Sequence, residues 1–133
     1  MTIERHDPLG GAFGAALGVR AGDFVFTTVA GNERLENGEP VFGATFERQL
    51  EIVGEHLVRR LQHFGCALDA IVDATVWLHP SVDVTPGLLL DALQSQVFHG
   101  VVPAMSFVRS PMLYPEALVG VKAVAFAPST PST

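Results

Sequence analysis

The sequence predicts an α+β domain, a mixed sheet with two helices on one face and elements in the order ββαβαββ. Three observations predict it. Residues 45–64 and 85–100 carry apolar side chains at helical spacing, each opened by a threonine and closed by a glycine. A near-continuous apolar run at 70–78 lies between them, as in a strand at the middle of a sheet. Segments rich in β-branched and aromatic residues stand on either side, at 14–29 and 103–126.

Each element has its own signal. Residues 1–10 are polar and then glycine-rich, an arm leading into the first strand. Residues 14–20 and 23–29 form a hairpin about Ala21-Gly22. Residues 31–43 read as a polar loop with a turn at Glu36-Asn37-Gly38-Glu39. In the first helix Thr45 is the N-cap, and Glu47 and Glu51 suit the positive end. Phe46, Leu50, Val53, Leu57, Leu61 and Phe64 make one apolar face, and Gly65 stops the helix. His56 is expected to be exposed and solvated. In the strand 70–78, Asp73 and Thr75 share a face with Ile71 and Trp77, which suits Asp73 to a strand edge or a subunit contact. Thr85 caps the second helix, Pro86 takes its first position, and Gly100 ends it.

Two apolar strands, 103–109 and 118–126, follow, joined by the loop 110–117. Alternation puts Met105, Phe107 and Arg109 on one face and Ala104, Ser106 and Val108 on the other. Gly120 and Lys122 share a face opposite Val119, Val121, Ala123 and Ala125. Lys122 is a cation in an otherwise apolar strand, and a site is expected where these two strands meet. The reading is of one domain over 1–127 and a disordered Pro/Ser/Thr tail at 128–133.

Composition narrows the function classes. With 48% apolar and 17% charged residues in 133, the chain is an ordered globule with a real core. A net charge of −6 disfavours nucleic acid, whose non-specific affinity comes from Lys and Arg. The single cysteine, Cys66, excludes an internal disulfide and suits a reducing compartment. Glu4, Arg5, His6 and Asp7 follow Met1 where a signal peptide would be apolar, and no run reaches membrane-spanning length; a cytoplasmic protein is expected. The five histidines have no zinc-site spacing, so no metal and no cofactor is expected. Ser106 beside His99 suggests a nucleophile and base, but no nucleophile elbow surrounds the serine.

Val102-Pro103-Ala104-Met105-Ser106, followed by Val119-Gly120-Val121-Lys122-Ala123-Val124-Ala125, resembles the C-terminal signature of the RidA/YjgF (L-PSP endoribonuclease) family. Val19–Phe26, Phe46-x-x-Gln49 and 68–78 resemble its first strand pair, first helix and central strand, so the likeness covers 13–126. It implies a chorismate-mutase-like homotrimer with small-molecule clefts between subunits. In the family's active members, the arginine of Pro-Ala-Arg-Ser grips the carboxylate of a 2-imino or enamino acid. A glutamate in the following strand positions the hydrolytic water. Here that arginine is Met105, and the glutamate positions are Gly120 and Lys122. The family's Tyr-Ser falls on Ala15 and Ala16, with Phe13 close by, and its Ser-Gly on Thr28 and Val29. The resemblance therefore implies a diverged member whose cleft includes Phe13, Ala15, Thr28, Met105, Phe107, Arg109, Gly120 and Lys122. Arg109 and Lys122 are candidates for the lost cation. Two readings stay open, an enzyme acting on an imine, enamine or related carbonyl compound and a non-catalytic ligand-binding or regulatory trimer.

Overall fold

The structure is a computed structural model describing residues 2–8 and 15–128. Its main sheet has six strands in the order β1-β2-β3-β8-β6-β7. They are β1 (Ile3–His6), β2 (Gly18–Ala21), β3 (Phe24–Ala30), β6 (Ile71–Leu78), β7 (Ala104–Arg109) and β8 (Val119–Phe126). A separate hairpin pairs β4 (Asn32–Glu36) with β5 (Glu39–Phe42). Among the described strands only β6 and β7 are parallel, so the sheet is mixed as the sequence predicts.

Helix α1 (Phe46–His63) begins where the Thr45 side chain accepts a hydrogen bond from the Arg48 amide at 3.1 Å. It ends at Phe64, with Gly65 beyond it at φ 76°, the left-handed conformation that favours glycine. Helix α2 (Pro86–Leu93) is capped in the same way by Thr85 and carries proline in its first turn. One wide π turn, Gln94–Phe98, follows α2, and then His99 and Gly100 both take positive φ. The Gln94 side chain closes that turn, donating to the Val101 carbonyl and accepting from the Gly100 amide, each at 2.8 Å.

One face of the sheet carries the core. Val25, Val29, Val76, Val119, Val121, Ala123 and Ala125 are buried there with Leu50, Leu57 and Leu61 of α1 and Leu93, Val97 and Phe98. The apolar stripe of α1 read from the sequence is the side that is buried. Gly54 lets α1 approach the π turn closely, since a Cβ there would lie 2.1 Å from the Gln96 carbonyl oxygen.

Four expectations need correction. The residues read as a polar loop at 31–43 form the β4–β5 hairpin. Asn37 and Gly38, at φ 53° and 80°, make the two-residue turn that suits a hairpin, while the strands themselves are too polar to announce it. The N-terminal arm contains the edge strand β1, paired with β2. An irregularity between Ile71 and Asp73 turns Ile71 into the core, so it does not share a face with Asp73, Thr75 and Trp77. Finally, β7 and β8 do not meet. β6 lies between them, because β7 returns parallel to β6 through α2 instead of forming a hairpin with β8. The proposed tail beyond 128 and Phe13 lie outside the described residues.

Candidate functional site

The registers divide the sequence-predicted site residues between two faces. Met105 stands opposite Ala74, which stands opposite Ala123, so Met105 is on the helix-covered face. It is half-buried and packs against the core. Phe107 follows beside Val76, and Arg109 beside Leu78, on the same face. Gly120 and Lys122 point the other way. Lys122 lies between Thr28 of β3 and Thr75 of β6, and Thr75 pairs onward with Ser106. The expected cleft, with Met105, Phe107 and Gly120 side by side and Lys122 near them, is therefore not formed on one face within one chain. The alternation within each strand was read correctly, but the relative phase of β7 and β8 depends on the intervening β6.

The uncovered face is a ladder of rows. Thr28, Lys122, Thr75 and Ser106 make a polar row across four strands, and Ala30, Gly120, Trp77 and Val108 make the next. On its other side run Phe26, Val124, Asp73 and Ala104. Phe24, Phe26, Val72, Val108 and Phe126 are exposed large apolar residues on this side of the sheet. Gly120 is buried, and the Met112 sulfur lies 3.3 Å from where its Cβ would be. A longer side chain at 120 would have to displace that thioether. Ala15 is exposed, at the start of the second described segment.

Phe107 and Arg109 are brought together with α2 instead. Leu78, Val84, Pro86, Leu89, Phe107 and Arg109 line a groove of about 400 Å³ between α2 and the free edge of β7. Arg109 donates to the Val82 carbonyl at 3.0 Å and, more weakly, to that of Val84 at 3.5 Å. These bonds tie the loop after β6 to the end of β7. A second, more open groove of about 700 Å³ runs between α1 and the π turn, lined by Glu51, Glu55, Val58, Arg59, Gln96 and His99. His99 thus faces α1, and no hydrogen bond joins it to Ser106 among the described residues.

The residue that sequence reasoning undervalued is Gln49. It is buried, and its Nε2 donates to the Gly43 and Glu116 carbonyls, each at 2.9 Å. Its Oε1 accepts from the Leu118 amide at 2.8 Å. One amide therefore ties together the start of α1, the end of the β4–β5 hairpin and the loop leading into β8. Gly31 makes room for it, since a Cβ at 31 would lie 2.5 Å from Gln49 Cβ. The available signal was a polar residue beside the apolar stripe of α1.

Histidine chemistry departs from expectation at one position. His56 is half-buried, with Nε2 donating to the Asn32 carbonyl at 2.8 Å and Nδ1 accepting from Arg59 at 3.0 Å. That arrangement needs a neutral ring. Burial, the largest cause, holds its pKa below the ordinary value of 6.5. At the far end of α1, His6 and His63 stack at 3.7 Å. Desolvation and then the neighbouring His63 and Arg60 lower the His6 pKa. Burial and Arg59 bring Arg60 down to about 10, and Arg60 donates to the Thr28 carbonyl. Burial raises the Cys66 thiol, so it is not an activated nucleophile. Among the described residues, no three His, Cys, Asp or Glu side chains converge to hold a metal ion. No helix there is long and apolar enough to cross a membrane.

No family model matches the chain, and no curated protein does. Solved structures do. A YjgF-family protein of Streptococcus pyogenes is 25% identical with a TM-score of 0.74, over 97% of this chain and 99% of that one. A YjgF/YER057c/UK114-family member from Mycobacterium tuberculosis is 18% identical with a TM-score of 0.72, over 95% and 100%. A protein of Entamoeba histolytica described as a putative endoribonuclease L-PSP is 21% identical with a TM-score of 0.73, over 94% and 99%. The class defined is thus an α+β domain with the YjgF fold. The RidA/YjgF resemblance read from the sequence rests on a backbone shared over nearly the whole chain.

Proposed function

We propose that the chain is a diverged RidA-type homotrimer that takes a small, largely apolar molecule in clefts at the subunit boundaries. The observation that carries this reading is the side of β7 that bears Met105 and Phe107. It is apolar where the family's active members present a carboxylate-binding arginine, and it borders an open groove. Binding a carboxylate bidentately needs a planar cationic fork, and a thioether has neither charge nor donor. Gly120 and Lys122 supply no carboxylate to position water. The imine-hydrolysis machinery of the resemblance is therefore missing at each of its positions. A trimer is supported by the exposed Phe24, Phe26, Val72, Val108 and Phe126, which two helices on the opposite face leave uncovered.

Little or no acceleration of 2-iminopropanoate or 2-aminoacrylate hydrolysis is expected in a coupled assay that generates the imine in situ. Loss of a charge-assisted bidentate contact costs about 3 kcal/mol, roughly a hundredfold in binding. Turnover at the level of an arginine-containing homologue would overturn the reading and direct attention to Arg109. In native mass spectrometry the expected species has three times the 14.2 kDa chain mass. A stable monomer at micromolar concentration would remove the inter-subunit cleft.

The second reading is a ligand-binding or regulatory trimer without turnover. It is favoured by Met112, which fills the space over Gly120 where a catalytic side chain would have to stand. Surviving hydrolysis of any imine, enamine or less polar carbonyl compound would exclude it. The net charge of −6 weighs against the RNA substrate suggested by some neighbours' descriptions.

A further inference from the structure

We infer that the groove between α2 and β7 binds an amphipathic monocarboxylate, a medium-length alkyl chain or a single ring ending in one acid group, with Arg109 as its anion partner. The inference deepens the proposed small-molecule cleft and rests on it. Three observations carry it.

The groove walls are apolar on both sides, Leu78 and Phe107 from the sheet and Val84, Pro86, Leu89 and Leu90 from α2 and the loop before it. Its volume of about 400 Å³ is in the range of small-molecule pockets, which are mostly apolar with a few fixed polar groups. Among the described residues on that lining, Arg109 alone carries a formal charge.

Arg109 is also held in place. Its Nη1 donates to the Val82 carbonyl and its Nη2, more weakly, to that of Val84, which restrains the exposed guanidinium beside the groove while leaving further N–H donors unspent. Among the described residues, no carboxylate forms an ion pair with it. A cation restrained by neutral carbonyls, with donors to spare and apolar walls alongside, is complementary to a carboxylate bearing an apolar tail. A short 2-keto acid would satisfy the cation and leave the walls wet. A neutral hydrocarbon would do the reverse.

The test is calorimetric titration of the full chain with octanoate and 4-phenylbutanoate, their primary amides, and pyruvate. The acids are expected to bind about tenfold more tightly than the matching amides, the scale of one charge-assisted hydrogen bond. Pyruvate should bind more weakly than either acid. Added salt should narrow the gap between acid and amide. Arg109→Gln should close that gap, chiefly by weakening the acids. Because Arg109 also ties down a loop, Leu90→Glu provides a second variant at an exposed position. Its new carboxylate, on the groove wall, should weaken the acids more than the amides and so narrow the gap from the opposite side.

Equal binding of acids and amides would overturn the role of Arg109 and leave the apolar cleft standing. Binding of neither would overturn the cleft as well. Loss of acid binding as the protein concentration is raised would mean that a second copy of the chain fills the groove, which also overturns the proposal.

Discussion

Gln49→Leu should lower the unfolding free energy by about 3–5 kcal/mol, although the change replaces a polar group with an apolar one of similar size in a buried position. Hydrophobicity alone predicts the opposite sign. The buried amide satisfies three backbone groups, the carbonyls of Gly43 and Glu116 and the amide of Leu118. Leucine would leave all three without a partner, at about 1–3 kcal/mol for each group that water cannot reach. Water can reach some of them, because two of the bonds are only partly buried, and this keeps the sum below its upper limit. Urea unfolding monitored by circular dichroism should show a lower midpoint with an unchanged slope. A loss under 1 kcal/mol would mean that the three segments hold together without the amide.

Gly54→Ala should also be strongly destabilising, by about 3 kcal/mol, against a helix-propensity gain of about 1 kcal/mol. The new Cβ would meet the Gln96 carbonyl oxygen at 2.1 Å and its carbon at 3.2 Å. Both are backbone atoms of the π turn, so no side-chain rotation relieves the overlap, and α1 and the turn must separate. Gly87→Ala is the control. Nothing lies within 4 Å of a Cβ there, and the same substitution in the first turn of α2 should stabilise by about 0.5 kcal/mol. If the two substitutions had the same sign, the close approach at Gly54 would not be what sets its cost.

Much of the architecture was legible from residues acting locally. Thr45 and Gly65 bound α1 as their chemistry requires, and Thr85 and Pro86 open α2. What escaped was non-local. The face shared by Met105, Phe107 and Arg109 is visible in the alternation of β7, but which neighbour stands beside them depends on the parallel return to β6. Nothing in residues 103–126 states that another strand lies between the two they form. The β4–β5 hairpin was missed because Glu33, Arg34 and Glu36 are charged, although Asn37-Gly38 is a strong turn signal. His56 was read as solvated because its partner, the Asn32 carbonyl, belongs to that same unrecognised strand.

The strand order also determines when the molecule can fold. β8 is the last of the described strands and lies near the middle of the sheet, between β3 and β6. Those two have no ladder with each other, so before residues 119–126 arrive the sheet is two separate pieces. On a ribosome, β1–β3 would emerge with α1 and wait for a partner made about a hundred residues later, as the register Phe24 to Phe126 shows. Pairings over such separations carry a large loop-closure cost and slow the search for the native state. During that interval the β3 edge and the apolar faces of Phe24 and Phe26 are open to other nascent chains. Yield in expression should therefore depend on synthesis rate and chaperone supply more than on the stability of the finished sheet.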